Sequence, residues 1–358
     1  MVELDIVLDP IVALLSDLWN PQKRIFLGYL GLAALIAAVV LRLRYPSSFS
    51  LKLLIRTLFA GKVWLSQSSF ADIKLLLFNR LLFGGIVTQV LSKSTVGLSV
   101  YFLLMDTGWF SVTPGILLPE YMYPLIFTAI LFIVDDYSRY WTHRALHRIP
   151  ILWEFHKVHH SATTLTPLTI FRTHPVEAIV FSMRGALVQG TVVGAAFAVF
   201  GSNLNLFTIL GANILSVLFH VVGSNLRHSH IQLRYPRGLE RWLVSPAQHQ
   251  LHHSVSEEHF DKNFGVAFSC WDLIHGTHHF SQARRLTYGL TENYNVDRVN
   301  HTLSHLLFAP LTAAYRCLSH FACSACSSLA AKGGKITSWA RVRSTTQVVR
   351  PGSFQSQK

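Results

Sequence analysis

Cysteine and acidic residues are both scarce in this chain of 358 residues, and each shortage excludes a class of protein. The four cysteines are too few and too clustered for a disulfide framework. Cys323 and Cys326 form one C-x-x-C motif, which we interpret as unpaired thiols, with a metal knuckle or redox pair as the alternative. Asp and Glu number 18 against 31 Lys and Arg, so the formal net charge is +13. Without a nucleic-acid-binding motif, this charge indicates loops and a tail that face anionic lipid, and we expect no nucleic-acid partner.

Both ends of the chain carry charge of mainly one sign. Residues 1–21 contain four acidic residues and no basic one, which does not match a secretory signal peptide. No acidic residue follows Asp297, and residues 332–358 contain six Lys and Arg among Gly, Ser and Gln. We expect residues 331–358 to be a disordered basic tail. The moderately apolar residues 303–329 predict an interfacial helix or a further membrane crossing.

Apolar stretches that could form membrane helices recur along the chain. They cover residues 25–41, 82–105, 121–134, 178–200 and 204–223. Most Lys and Arg lie in residues 42–80, 139–172 and 227–285, which the positive-inside rule assigns to the cytoplasm. The pattern predicts an all-α, multi-pass helical membrane protein with an external N-terminus, five crossings and a cytoplasmic, histidine-rich, metal-binding cap.

These stretches also divide the chain into four predicted regions. Residues 1–120 would hold N-terminal membrane helices and a basic cytoplasmic loop, and residues 121–288 the metal-binding domain. Residues 289–330 would hold the possible interfacial helix, and residues 331–358 the tail.

Sixteen of the nineteen histidines lie between His143 and His279, and eight of these form three boxes with helical spacing. The boxes are H-x-x-x-H at 143–147 and H-x-x-H-H at 156–160 and 249–253. Residues three and four apart share a helix face, so each box is expected to direct its imidazoles to one place. Without a cation, such imidazoles would repel one another when protonated and would cost desolvation when buried. The candidate ligands are His143, His147, His156, His159, His160, His249, His252 and His253.

The number of these histidines predicts two metal ions. Structural zinc takes four protein ligands and catalytic zinc usually takes three, so eight exceed what one ion accepts. Neutral imidazole suits iron, zinc and copper.

Asp136 and Tyr140 form one helical stripe with the first box, because successive spacings are four, three and four residues. Both are candidates to support the ligands from outside. Asp136 lies near the end of an apolar run and could accept the free N–H of a ligating histidine. The alternative for Asp136 is an ion pair with Arg139 or Arg144.

Six segments around these histidines resemble the fatty acid hydroxylase/sterol desaturase superfamily of membrane di-iron enzymes. The segments are DYSRYWTHRALH (136–147), LWEFHKVHHS (152–161), FRTHPVE (171–177), SPAQHQLHHS (245–254), NFG (263–265) and WDLIHGT (271–277). They do not extend to the first 120 residues or to the chain beyond about residue 288.

The resemblance implies two iron ions, O₂ as co-substrate, and electrons from a separate donor protein. It makes the eight box histidines iron ligands and adds one histidine between the second and third boxes. LRHSH (226–230) offers His228 for this place, with His230 and His220 as competitors. His174 is expected near the site rather than as a ligand.

Two further histidines near residue 277, His278 and His279, are not expected to bind metal. His275 occupies a position where relatives often carry Phe, and His278 and His279 are expected to be exposed polar residues.

The expected activity is hydroxylation or desaturation of a C–H bond in a sterol, fatty acyl or alkyl lipid. No segment resembles a reductase, a flavin site or a haem-binding carrier, which is why the electrons are assigned to an external donor. One alternative is a membrane metal transporter, whose ligands would lie within the crossings. Another is a zinc-dependent membrane hydrolase, which a clear H-E-x-x-H would favour; the sequence has none.

Overall fold

The chain is mainly helical wherever its structure is described. The computed structural model describes residues 12, 14–21, 23–85, 92–108, 118–201, 204, 215, 218, 219, 223–290 and 300–331. Within these ranges there is no β-strand, only the isolated bridges Leu243–Phe268 and Ser254–Tyr288. The all-α prediction is therefore confirmed for the described residues.

The described helices are numbered here in chain order. They are α1 (Leu27–Arg44), α2 (Leu51–Leu58), α3 (Gly61–Trp64), α4 (Gln67–Gly85), α5 (Lys93–Asp106), α6 (Met122–Arg148), α7 (Pro150–His160), α8 (Pro175–Phe200), α9 (Arg237–Glu240), α10 (Pro246–His252), α11 (Cys270–Ile274) and α12 (Leu303–Ala331).

Two of the described helices, α1 and α8, are long and apolar enough to cross a membrane. The predicted stretch 82–105 does not form one helix, because the Ser92 hydroxyl accepts the Thr95 N–H and begins α5 there. The stretch 121–134 forms the first half of α6, which continues to Arg148. Most of the stretch 204–223 lies outside the described residues.

Helices α5 and α8 approach so closely that two positions of α8 require glycine. A Cβ atom at Gly190 would lie 2.8 Å from the Lys93 carbonyl oxygen, and one at Gly194 would collide with the Gly97 carbonyl oxygen. Small residues at such spacing allow helix backbones to meet within a membrane.

Helix α7 follows directly after the C-terminal end of α6 and packs against it, and it is the first helix of the histidine-rich cap. Pro150 lies in its first turn, where a missing N–H breaks no helical hydrogen bond. The fully buried Arg172 fixes its C-terminal end by donating to the Val158 carbonyl oxygen (2.9 Å) and pairing with Asp72 (3.1 Å). Asp72 also accepts the Thr169 hydroxyl at 2.6 Å, so the buried carboxylate is well hydrogen-bonded.

The predicted helix at 303–329 corresponds to α12. Its first half packs against α4 and α7 through Leu306, which contacts Leu75 and Val158. Cys323 and Cys326 lie in its second half, and their side chains are outside the described residues.

Candidate metal centre

The structure brings together all nine histidines that the sequence proposes as ligands. They form two groups, and within each group the ligand atoms lie within 4.8 Å of one another. Eight of the nine side chains are buried and His147 is half-buried. The first group contains His143, His147, His156, His160 and His252, and the second contains His159, His228, His249 and His253.

Each H-x-x-H-H box contributes to both groups, so the expectation that a box directs all its imidazoles to one place is wrong. His156 and His160 belong to the first group, whereas His159 belongs to the second. The box at 249–253 divides in the same way. A spacing of four residues slightly exceeds one helical turn, and a spacing of three falls short of it. The middle histidine of each box, three residues after the first, therefore lies on the other flank of the helix face. Each such box therefore joins two sites.

Backbone carbonyls determine which nitrogen is free in the first group. His143 Nδ1 lies 2.9 Å from the Phe264 carbonyl oxygen, and His252 Nδ1 lies 2.7 Å from that of Lys262. A carbonyl can only accept, so Nδ1 carries the proton and Nε2 keeps its lone pair. Buried Nε2 atoms without a partner among the described residues belong to His147, His156, His160 and His252.

Glu177 supports His156 from the first turn of α8. Its Oε1 accepts the His156 Nδ1–H at 2.8 Å, and its Oε2 is buried without a hydrogen bond. A carboxylate on the outer N–H of a histidine orients the ring and makes its other nitrogen a better ligand. The sequence left Glu177 without a role, although it closes the segment FRTHPVE, three residues after His174.

The four histidines of the second group converge through Nε2. His228 Nε2 lies 3.2, 3.2 and 3.0 Å from the Nε2 atoms of His159, His253 and His249, and the last two are 3.3 Å apart. Nitrogens this close together can share one cation at the roughly 2.0–2.1 Å of a metal–imidazole bond. A single cation among them would satisfy all four lone pairs.

Burial keeps these imidazoles neutral. It lowers the pKa of His143 and His156 to about 3, and the charge of neighbouring histidines also lowers that of His143. Burial and the charge of His156 lower the pKa of His159 to about 4. Neutral imidazole is the form that binds metal.

Asp136 holds the loop beside the centre rather than a histidine. Its carboxylate accepts the backbone N–H groups of Ala267 (2.8 Å) and Phe268 (3.0 Å) and the indole N–H of Trp271 (2.9 Å). The structure therefore shows these contacts instead of the expected bond to a histidine N–H.

The alternative ion pairs of Asp136 are not observed among the described residues either. Arg139 pairs with Asp135 at 2.7 Å. Arg144 donates to the Tyr140 hydroxyl at 3.1 Å, and that hydroxyl lies 3.0 Å from Thr277 Oγ1. Among the described contacts, the Tyr140 hydroxyl thus also bonds Thr277 and Arg144 and not a histidine of either metal group.

Asp272 organises the turn that supplies the two carbonyl acceptors. It accepts the N–H groups of Phe264 and Gly265, both at 2.8 Å, and the Thr277 hydroxyl at 2.7 Å. Asn263 adopts the left-handed region with φ +56°. A Cβ at Gly265 would lie 2.7 Å from Asp272 Oδ2, so only glycine fits there. In the sequence, Asn263, Gly265 and Asp272 stand out only because they lie in two of the segments that resemble the superfamily.

The competing histidines lie outside both groups. His230 Nε2–H donates to the Thr57 carbonyl oxygen at 2.6 Å, and His174 caps α8 and donates to the Leu307 carbonyl oxygen at 3.0 Å. His220 is outside the described residues.

The expectation of exposed side chains at His278 and His279 is wrong, because both are half-buried, as is His275. His275 Nε2 lies 3.2 Å from the Tyr137 hydroxyl, and His278 donates to the Glu240 carbonyl oxygen at 2.9 Å.

A cavity of about 400 Å³ opens onto both groups. One wall consists of metal-group histidines: His143, His156, His159, His228 and His249. The rest of the lining includes the apolar side chains Phe132, Ile170, Phe181, Phe219 and Val266, together with charged residues such as Arg24 and Arg227. Such a chamber can hold a hydrocarbon segment beside the free nitrogens.

Together these features define a helical domain with a buried histidine cluster that can hold two metal ions. Residues 128–277 match the fatty acid hydroxylase family. The resemblance to the fatty acid hydroxylase/sterol desaturase superfamily, inferred from the histidine boxes, is confirmed over this segment.

Three curated relatives are similar to about half of this chain. Alkylglycerol monooxygenase of Homo sapiens is 26% identical over 178 residues, which cover 50% of this chain and 36% of the relative. A methylsterol monooxygenase of Aspergillus fumigatus is 25% identical over 196 residues (54% and 62%), and a Delta(7)-sterol 5(6)-desaturase of Gibberella zeae is 29% identical over 153 residues (43% and 42%).

Each of these matches covers less than two thirds of the relative's length. No solved structure matches the chain. The names of these relatives give no support to the transporter or hydrolase alternatives.

Proposed function

We propose that this protein is a membrane-bound, metal-dependent oxidoreductase that uses O₂ and external electrons to hydroxylate or desaturate a C–H bond of a lipid. One observation carries the proposal: two groups of buried, neutral histidines present free nitrogens beside a cavity with apolar walls. The relatives' names, two monooxygenases and a desaturase of lipid substrates, agree with this chemistry.

We assign one iron ion to each histidine group, giving a di-iron centre. The unpartnered Nε2 atoms of the first group and the converging Nε2 atoms of the second group fit two cations. Iron held there would supply the activation of O₂ and the oxidation of the C–H bond.

The residues of the chain position the reactants. Lys262, Phe264 and Glu177 fix the orientation of three ligand rings through their Nδ1–H groups. Phe132 and Phe181 would hold a hydrocarbon chain beside the histidines, because contact with their rings keeps the apolar chain out of water. Asp136 and Tyr140 would contribute indirectly, by holding the loop and its neighbour Thr277 in place.

We further propose a multi-pass topology in which the domain of residues 121–288 faces the cytoplasm. Support comes from α1 and α8, which are long and apolar, and from the Lys and Arg concentrated in three segments. The roles predicted for residues 1–120 and 289–330 are part of this proposal, and residues 332–358 lie outside the described residues. A separate electron-donor protein would approach the basic cytoplasmic face.

The test compares two histidines that are two residues apart. Wild-type protein purified in detergent should hold about two iron ions per chain. His228→Ala should lose about one of them and all lipid oxidation, because it removes a ligand from the second group. His230→Ala should keep both, since its side chain bonds only the Thr57 carbonyl oxygen among the described contacts.

Metal content is measured by plasma mass spectrometry. Activity is measured as gain of one oxygen atom from labelled O₂, or loss of two hydrogens, in extracted lipids. Full activity in His228→Ala would refute the proposal, as would zinc alone with turnover that does not need O₂.

A further inference from the structure

A second, larger cavity of about 920 Å³ adjoins the chamber beside the histidines. The two cavities share walls, formed by Arg24, Arg139, Ile170, Thr173 and Phe181. A ligand bound in the larger cavity could therefore extend into the smaller one and reach the metal-binding nitrogens.

The larger cavity carries an excess of positive charge. Its basic lining residues are Lys23, Arg24, Arg80, Lys93, Arg139 and Arg184. Three of them are ion-paired, Arg80 with Asp17, and Arg139 and Arg184 both with Asp135, each at 2.7 Å, so two carboxylates offset two of the six positive charges. Lys23, Arg24 and Lys93 have no ion-pair partner in the part of the chain that the structure describes.

Arg24 stands where the two cavities meet and bonds only neutral acceptors among the described contacts. Its Nε donates to Asn225 Oδ1 at 3.1 Å and its Nη2 to the Ser224 carbonyl oxygen at 2.6 Å. Burial, together with the positive charges of Arg227 and Arg139, lowers its pKa to about 9, so the group stays cationic at pH 7. Cations gathered in a cavity without counter-charge favour an anionic ligand.

From this geometry, and resting on the proposed function, we infer that the substrate is a lipid with a phosphate head group. The head would bind between Lys23, Arg24 and Lys93, and the hydrocarbon would pass Phe181 toward the histidines. A carboxylate head group would bring only one negative charge to three cationic side chains that have no ion-pair partner among the described residues. A phosphate monoester carries roughly −1.5 to −2 charges and three acceptor oxygens, which match arginine and lysine donors better.

The test measures binding of three ligands with the same oleoyl chain to the full-length protein in detergent micelles. The probes are oleoyl lysophosphatidate, monooleoylglycerol and oleate. Wild-type protein should bind lysophosphatidate about tenfold or more tightly than the other two, as one charge-assisted hydrogen bond supplies. Arg24→Gln should abolish this preference, and Arg24→Lys should retain most of it because it keeps the charge.

Arg24→Gln also loosens the contact with residues 224 and 225, so a second pair of variants is needed. Lys23→Gln and Lys93→Gln remove charge from the same cavity and should each reduce the preference several-fold. Arg285→Gln removes one charge from an exposed site outside both cavities and should leave the preference unchanged.

Equal affinity for the three probes would overturn the inference, as would oleate binding as tightly as lysophosphatidate, or a preference that survives in all the cavity variants. The outcome is separate from that of the proposed function. Phosphate-selective binding without oxidation of any lipid would refute only the oxidase. Oxidation of neutral lipids without phosphate selectivity would refute only the head group.

Discussion

Replacing Asp272 by Asn should weaken one metal site without removing any metal ligand. The buried carboxylate accepts two backbone N–H groups and one hydroxyl, and so shapes the turn at 263–265. That turn presents the Phe264 carbonyl to His143, and the preceding residue presents its carbonyl to His252. Both histidines belong to the first group, and neither carbonyl contacts the second group.

The size of the effect follows from the bonds that asparagine can keep. Its single amide oxygen can still accept from Phe264 and Thr277, but its NH₂ group would face the Gly265 N–H. One charge-assisted bond is lost and one buried donor is left unpaired, which costs about 2–3 kcal/mol of folding free energy. Loss of an outer contact to a ligating histidine costs roughly 10- to 100-fold in metal affinity.

The assay is a chelator titration of the purified, metal-loaded protein, with bound metal counted at each step. About half of the metal should leave Asp272→Asn at a chelator concentration roughly 10- to 100-fold lower than for wild type. The other half should leave at the same chelator concentration as in wild type. Asp261→Asn is the matched control, because Asp261 is only half-buried, has Arg148 as its one ion-pair partner among the described residues, and has a φ of +58° that asparagine tolerates. Identical curves for the two variants would refute the reasoning.

Two further predictions concern the metal-free protein and the helix packing. The pKa values of His143, His156 and His159 lie at about 3, 3 and 4, below the 6.5 of a free histidine, so the unfolded chain binds more protons in this range. Chelator-treated protein should therefore lose stability as pH falls from about 6.5 toward 4, and an unfolding midpoint equal at pH 7.5 and pH 5 would contradict this. Gly194→Ala should lower the thermal midpoint by several degrees, whereas Gly185→Ala on the same helix should not, because nothing lies within 4 Å of its added Cβ; equal midpoints would contradict the close approach of α5 and α8.

The histidines themselves could be predicted because their spacing is a local property of a helix. A pair four residues apart shares a flank whatever surrounds it, so the members of each box could be named from sequence. The spacing also places His159 on the opposite flank from His156 and His160. That the two flanks serve two different metal groups depends on how α6, α7 and α10 are placed in the fold, which is a tertiary property.

The supporting contacts were harder to predict for a different reason. The acceptors of His143 and His252 are backbone carbonyls, which every residue has, so no side-chain type marks them. Only Asn263 and Gly265 leave a trace in the sequence, through a positive φ and a position with no room for a Cβ. The break at Ser92 was missed because a hydropathy window averages over a single capping hydroxyl.

The interleaving of the boxes also sets an order of events during synthesis. Each group draws members from segments more than ninety residues apart, the first from His143 to His252 and the second from His159 to His253. Neither set of ligands is complete until the last box has left the ribosome. Metal delivery is thus a late step of maturation, and a nascent chain truncated before residue 249 could gather no more than part of either ligand set.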